Sequence, residues 1–156
     1  MIKHLASFIA IGLAAGCTTA PSTSVSSADV NIVSVQASST PSGDFVCTAV
    51  INNQNDDDAY GTTVIVLLPL QVKIQGMAVT GGSGSCQKSP VLPQSVFNGY
   101  ATCDLGHLPQ GPNVRRTVEI TTTKSTAAPT YPQTCSAFIY SLVGDIQKNN
   151  NYATAP

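Results

Sequence analysis

The stretch CDLGHLPQG, residues 103–111, sets a carboxylate and an imidazole three positions apart. Asp104 and His107 are the residue types of a general-base pair, in which an acid orients a ring that takes up a proton near neutral pH. Such chemistry needs a nucleophile held beside the base, and the local sequence places no Ser or Cys next to His107. A solvent-facing turn residue is therefore the favoured reading of His107. Asp56, Asp57 and Asp58 form a second cluster, and three adjacent carboxylates offer the hard oxygen ligands that calcium takes. The alternating Asp-x-Asp-x-Asp-Gly spacing of a dedicated calcium loop is missing, so a solvated turn is expected instead. No metal or other cofactor is expected, and these three acids are the weak metal candidates. Five cysteines complete the reactive set: Cys17, Cys47, Cys86, Cys103 and Cys135. None lies in a CxxC pair, and the chain holds only two histidines, so a zinc site has little support.

The elements that must position these groups are strands. Only 10% of the 156 residues are charged, the net charge is -1, and there is no Trp. That balance gives no electrostatic footprint for nucleic acid and no polybasic patch for anionic lipid. Thr, Ser, Val, Gly and Pro dominate where a helical bundle would show Glu, Lys, Leu and Ala, so the fold expected is all-β. The length suits one domain of ordinary size.

The N-terminus reads as an export signal. Lys3 and His4 make a basic start, and residues 5–15 make an apolar segment too short to span a bilayer. It ends in Leu13-Ala14-Ala15-Gly16-Cys17, which resembles the lipobox of bacterial lipoproteins, with Ala14 where Leu is commonest. That resemblance implies a signal peptide at 1–16, diacylation of Cys17, and a membrane as partner through the lipid. Residues 17–28 are then the lipidated cysteine and a polar, aperiodic tether, and residues 29–156 the folded domain. Thr18, where Asp would retain a lipoprotein in the inner membrane, directs the expectation to the outer membrane of the cell envelope. Four cysteines remain, an even set that argues for disulfides in an oxidising compartment, with three connectivities open.

Turn signals recur at short spacing through the rest of the chain, the pattern of a sandwich or barrel. Strands are expected at 28–36, 45–52, 62–70, 71–79, 97–105, 114–123, 135–143 and 149–155, seven or eight in all, with no helix after residue 16. In the second, either Phe45, Cys47, Ala49 and Ile51 or Val46, Thr48 and Val50 face inward, because both sets are plausible core. The run TTVIVLLPL reads as a strand buried on both sides. In VRRTVEITTT, Val118, Ile120 and Thr122 share one face. Arg115 and Arg116 with Glu119 are expected on a charged outer face that blunts edge pairing or docks a partner. Tyr60, Tyr100, Tyr131, Tyr140 and Tyr152 are either interface anchors or core and rim.

The Asn-Asn after the second strand, the Leu-Pro, the Gly-Ser segment ending in Cys86, the TCDLGHL of 102–108 and the closing NNNYATA together resemble a bacterial surface-repeat family, domain of unknown function eleven. The likeness spans about residues 29–155. It implies an immunoglobulin-like Greek-key β-sandwich and a non-catalytic role in adhesive or spacer units of envelope proteins. It also implies a Cys86 to Cys103 disulfide, worth about 3 kcal/mol, which leaves Cys47 for Cys135 at about 4 to 5 kcal/mol. Asp104-Leu105-Gly106 then becomes a tight turn leaving its strand, with Gly106 supplying a left-handed φ. The expected partner is an unidentified surface or envelope protein. The alternative role is an accessory lipoprotein of an envelope-spanning assembly such as a secretion system or pilus; an enzyme or a calcium-binding module is the remote one.

Overall fold

A computed structural model describes residues 27–40, 44–69, 72–90, 99–124 and 134–155. The expected signal peptide, Cys17, the tether up to residue 26 and Tyr131 lie outside the described residues. Two antiparallel sheets carry the fold. The first runs β2 (Val30–Ser39), β3 (Phe45–Asn53), β8 (Gly111–Lys124), β5 (Val72–Thr80) in spatial order. The second runs β11 (Tyr152–Thr154), β9 (Ser136–Tyr140), β4 (Ala59–Leu67), β7 (Tyr100–Leu108), β6 (Ser85–Lys88). A short parallel pair, β1 (Ser27–Ala28) with β10 (Gly144–Asp145), closes one end. The folded part thus reaches back to Ser27, with Ala28 wholly buried. The sole helical element among the described residues is a 3-10 turn at Lys148–Asn150.

This is an immunoglobulin-like sandwich with one addition. Reading the chain as strands A to G, the first sheet has the order A, B, E, D and the core of the second is G, F, C. The β6–β7 hairpin is inserted between D and E and extends the second sheet beyond C. Its first strand, β6, is the ninth sheet strand that the expected seven or eight lacked, β7 being the strand expected at 97–105. Ser85–Lys88 lies in a Gly-Ser segment with no β-branched residue, and pairing with β7 overrides that weak propensity.

The core lies between the sheets, and the alternation of each strand assigns its face. Phe45, Cys47, Ala49 and Ile51 are all buried, which settles the register of β3. Cys47 then meets Cys135, the residue before β9, in a disulfide with a sequence separation of 88 that ties the two sheets together. The second disulfide, Cys86 to Cys103, joins residues directly opposite each other in the β6–β7 ladder. Val118, Ile120 and Thr122 are buried as expected, but the same parity carries Arg116 inward as well. Arg116 is therefore not part of a charged outer face: its guanidinium donates to the Gly81 carbonyl and packs under the β5–β6 turn. Arg115 and Glu119 do face out.

The apolar run of β4 is buried on one side, not two. Thr62, Val64, Val66 and Leu68 point inward, whereas Leu67 is exposed and Ile65 partly so. The expectation failed because a continuous apolar run marks a doubly covered strand only in a parallel sheet with helices on both faces. Here the sheet is antiparallel, and no described element lies over its outer side.

An asparagine cluster stitches the end near β1. The Asn53 carboxamide, fully buried, accepts from the Asp29 N–H and donates to the Asp57 carbonyl. Asn52 donates to the Pro112 carbonyl and accepts from Asn31. Asn150 donates to the Asp29 carboxylate. The Asn-Asn pieces that carried the family likeness thus satisfy buried backbone groups where strands and connections converge.

Two variants test these assignments. Replacing Cys47 and Cys135 together with Ala should lower unfolding stability in denaturant titration by about 4 to 5 kcal/mol, because an 88-residue loop is freed in the unfolded chain. Asn53→Ala strands buried partners on both sides and should cost about 2 to 3 kcal/mol in the same titration.

Candidate functional site

Asp104, Leu105 and Gly106 do not form the expected corner. β7 runs through them to Leu108, and the register against β4 shifts between the Thr62–Gly106 and Thr63–Asp104 pairs. That is a β-bulge, with Gly106 at φ +59° and the Asp104 carboxylate accepting from the Gly106 N–H at 2.8 Å. Gly61, also at φ +59°, lies in a compensating shift of β4 between Ala59 and Thr62. The left-handed glycine was legible in the sequence; its use inside a strand pair was not.

The bulge decides what His107 meets. Asp104 is engaged with its own strand, and His107 is bonded to a different carboxylate, so the general-base pair weighed above for these two residues is not what the structure shows. The His107 ring Nε2 lies 2.9 Å from Asp58 Oδ2, across 49 residues of sequence. The other Asp58 oxygen accepts from the Gln110 N–H at 2.9 Å. The Tyr60 ring stacks on His107, centroids 4.8 Å apart and planes inclined by 13°. Both partners are open to solvent, with side chains 47% and 34% exposed. The Gln110 backbone N–H, aided by the His107 ring, holds the Asp58 carboxyl below its ordinary value.

Chemically this cluster is a clasp. It binds the β3–β4 connection to the β7–β8 turn. No nucleophilic hydroxyl or thiol is hydrogen-bonded to His107 among the described residues. The acidic run is likewise divided between separate tasks. Asp57 accepts from the Ser27 N–H while Asp58 takes Gln110 and His107. Among the described residues no group of three or more His, Cys, Asp or Glu side chains is arranged to hold a metal ion.

The outer face of the second sheet is of another kind. Tyr100, Phe138, Tyr140 and Tyr152, with Leu67, are each between 41% and 56% exposed. The register sets Tyr152, Phe138, Ile65, Thr102 and Gln87 in one cross-strand row, and Ser136, Leu67 and Tyr100 in the next. At the β11 edge the hydroxyls of Tyr152, Ser136 and Thr154 form a triangle of hydrogen bonds of 2.9 to 3.2 Å. The Ser136 hydroxyl, and after it that of Thr154, holds the Tyr152 phenol below its ordinary value. Three of the five tyrosines are thus exposed on one face, Tyr60 is exposed on the clasp, and Tyr131 falls outside the described residues. The sequence held a signal for this face, the apolar outward positions of β4, but in a strand taken as doubly buried it read as core.

The two disulfides point to an extracellular or envelope compartment. No helix among the described residues is long and apolar enough to cross a membrane. No protein-family model matches the chain, and no curated relative does. Solved structures similar to it include the following two. One is AvmM, described as catalysing macrocyclization in alchivemycin A biosynthesis, at TM-score 0.47 and 11% identity over 83% of this chain and 88% of that one. The other comes from work on pH-induced modulation of Streptococcus parasanguinis adhesion by Fap1 fimbriae, at TM-score 0.43 and 10% identity over 83% of this chain and 80% of that one. Scores this low carry no argument about activity.

The clasp has a pH signature. A depressed carboxyl value means that ionised Asp58 stabilises the fold above the ordinary aspartate value of about 3.9, and that this contribution is lost as pH falls through the lower folded-state value. Asp58→Asn should therefore be less stable than the natural chain near neutral pH, and the gap should close by about pH 2 in urea titrations.

Proposed function

We propose that the chain is a lipid-anchored envelope protein that presents a rigid, non-catalytic β-sandwich for contact with other proteins, as an adhesive or spacer unit at the cell surface. The observation that carries the contact reading is the outer face of the second sheet, where four aromatic side chains and Leu67 stand in solvent on one side of the sandwich. Monomeric proteins rarely leave so much contiguous apolar surface uncovered unless it meets something. The anchor rests on Leu13 to Gly16 ahead of Cys17, and on the polar stretch that follows. Two disulfides are in keeping with an oxidising envelope compartment. The resemblance to the surface-repeat family supports the same role, and Thr18 supports the outer membrane. The absence of catalysis is supported by His107, whose bonded partner is a carboxylate and not a nucleophile.

In this arrangement the acyl chains hold Cys17 at the membrane and the tether gives reach. The cross-linked sheets keep the exposed face in one shape. Partner side chains then lose entropy against a surface that loses almost none.

Lipidation is the first test. Cells fed labelled palmitate should label the natural chain, and Cys17→Ser should remain unlabelled and move to the soluble fraction. A natural chain of unacylated mass would overturn the anchor. Treating intact cells with a membrane-impermeant amine reagent then separates the roles, because Lys73 and Lys88 are exposed. Their labelling supports a surface adhesin or spacer; their protection favours the accessory lipoprotein of an envelope assembly.

A further inference from the structure

Tyr140 stands between two hollows of unlike lining. The first, about 400 Å³, opens where β9 leads into the connection before β10, and Phe138, Tyr140, Asp145, Lys148 and Asn151 are among the residues that line it. That volume falls in the range of small-ligand sites, about 300 to 1,000 Å³. The second, about 250 Å³, lies over β4, β6 and β7 and is lined by Thr63, Ser85, Gln87, Thr102, Asp104 and the same tyrosine. Apart from that ring, every side chain around it is a hydroxyl, an amide or a carboxylate.

The first hollow also holds hydrogen-bonding capacity that the fold does not use. Asn151, 5% exposed, is the one buried residue of its lining. Its Nδ2 donates to Asp145 Oδ2 at 2.7 Å, and Asp145 Oδ1 accepts from the Gln147 N–H at 3.0 Å. An ionised carboxylate only accepts, so the amide cannot be turned round, and Asn151 Oδ1 is left without a donor among the described residues. Lys148 forms no ion pair among the described residues. The Asp145 carboxylate is thus held in place before any ligand arrives, beside an acceptor that lacks its partner.

These features select a ligand class. Each hollow carries one carboxylate and the first also an unpaired ammonium group, so neither a strongly anionic nor a strongly cationic ligand is favoured. A purely apolar ligand would bury Asp145 and Asp104 without replacing their water, and would leave Asn151 Oδ1 unpaired. A peptide gains main-chain bonds by adding to a sheet edge, whereas over a sheet face the backbone groups are already spent in the ladders. A pyranose ring suits both hollows: each hydroxyl donates and accepts, and the C–H faces lie against aromatic rings. Phe138 and Tyr140, with ring centroids 6.2 Å apart, supply such a wall.

We infer that the two hollows form one binding site for a neutral oligosaccharide, with Tyr140 shared between adjacent sugar positions. In the first position, ligand hydroxyls donate to Asp145 and Asn151 and accept from Lys148. In the second they meet Thr63, Thr102 and Gln87. The site adds a ligand to the contact reading and stands without it.

An immobilised array of neutral hexose and N-acetylhexosamine oligosaccharides, with sialylated and sulfated counterparts, tests it on the full chain carrying Cys17→Ser. Binding to neutral members is expected, followed by calorimetric titration with the tightest of them. Tyr140→Ala should weaken that binding at least about tenfold, because it removes the ring common to both positions. Gln87→Ala, in the second hollow only, serves as another variant, with melting curves to show that each remains folded. Glu119→Ala, on the opposite sheet, should leave binding unchanged. An array on which no neutral oligosaccharide binds, a preference for the charged members, or binding that neither Tyr140→Ala nor Gln87→Ala weakens overturns the inference. A blank array together with a protein partner on the same face overturns the sugar site and leaves the contact reading in place.

Discussion

The covalent link between Cys47 and Cys135 is the constraint on which the rest of this structure depends. Two sheets packed face to face are held by what lies between them, and here that filling is made of small side chains. Phe45 is the one aromatic buried in the core among the described residues, and most of its companions are Ala, Val and Ile. Small side chains remove less apolar area from water per residue than aromatic ones do. A bond between Cys47, near the start of β3, and the residue just before β9 offsets that deficit by limiting the unfolded chain. It also fixes which face of β3 is inside, and through the β3–β8 register which residues of β8 follow it.

Rigidity inside leaves the outside free to specialise. The second disulfide closes the inserted β6–β7 hairpin on itself, with Cys103 in the core and Cys86 packed against it, while pairing of β7 with β4 joins the hairpin to the sheet. That hairpin widens the second sheet to five strands and makes its outer face broad. The paired bulges at Gly61 and Gly106 bend β4 and β7 near their ends, and the Asp58, His107 and Tyr60 clasp anchors the connections that leave there. Acid and imidazole meet in this protein to hold loops in place. The aromatic side chains, spread over β7, β9 and β11, are the groups left facing solvent.

How much of this the sequence revealed depended on whether a signal was local. The strand pattern was legible because turn residues punctuate it, and Val118, Ile120 and Thr122 declared the inner face of β8 by parity. The same parity would have placed Arg116 inside, but two adjacent arginines read as surface by charge alone. β3 gave no answer, since Phe45, Cys47, Ala49 and Ile51 alternate with residues nearly as apolar; the choice lies in Cys135, which is far away in sequence. Gly106 was recognised as left-handed, yet a turn and a bulge ask the same of a glycine. The Asp58 to His107 contact spans 49 residues and has no local signature. The exposed face was hidden because an apolar strand residue facing solvent is indistinguishable in sequence from one facing the core.

The most direct measurement is a non-reducing peptide map of the protein isolated from its own cells with thiols blocked at lysis. The account predicts two linked species, one joining the peptides of Cys47 and Cys135 and one joining those of Cys86 and Cys103. Free alkylated thiol at Cys47 or Cys135, or a link from either to Cys86 or Cys103, would contradict it, because the two sheets would then lack the bond that sets their register.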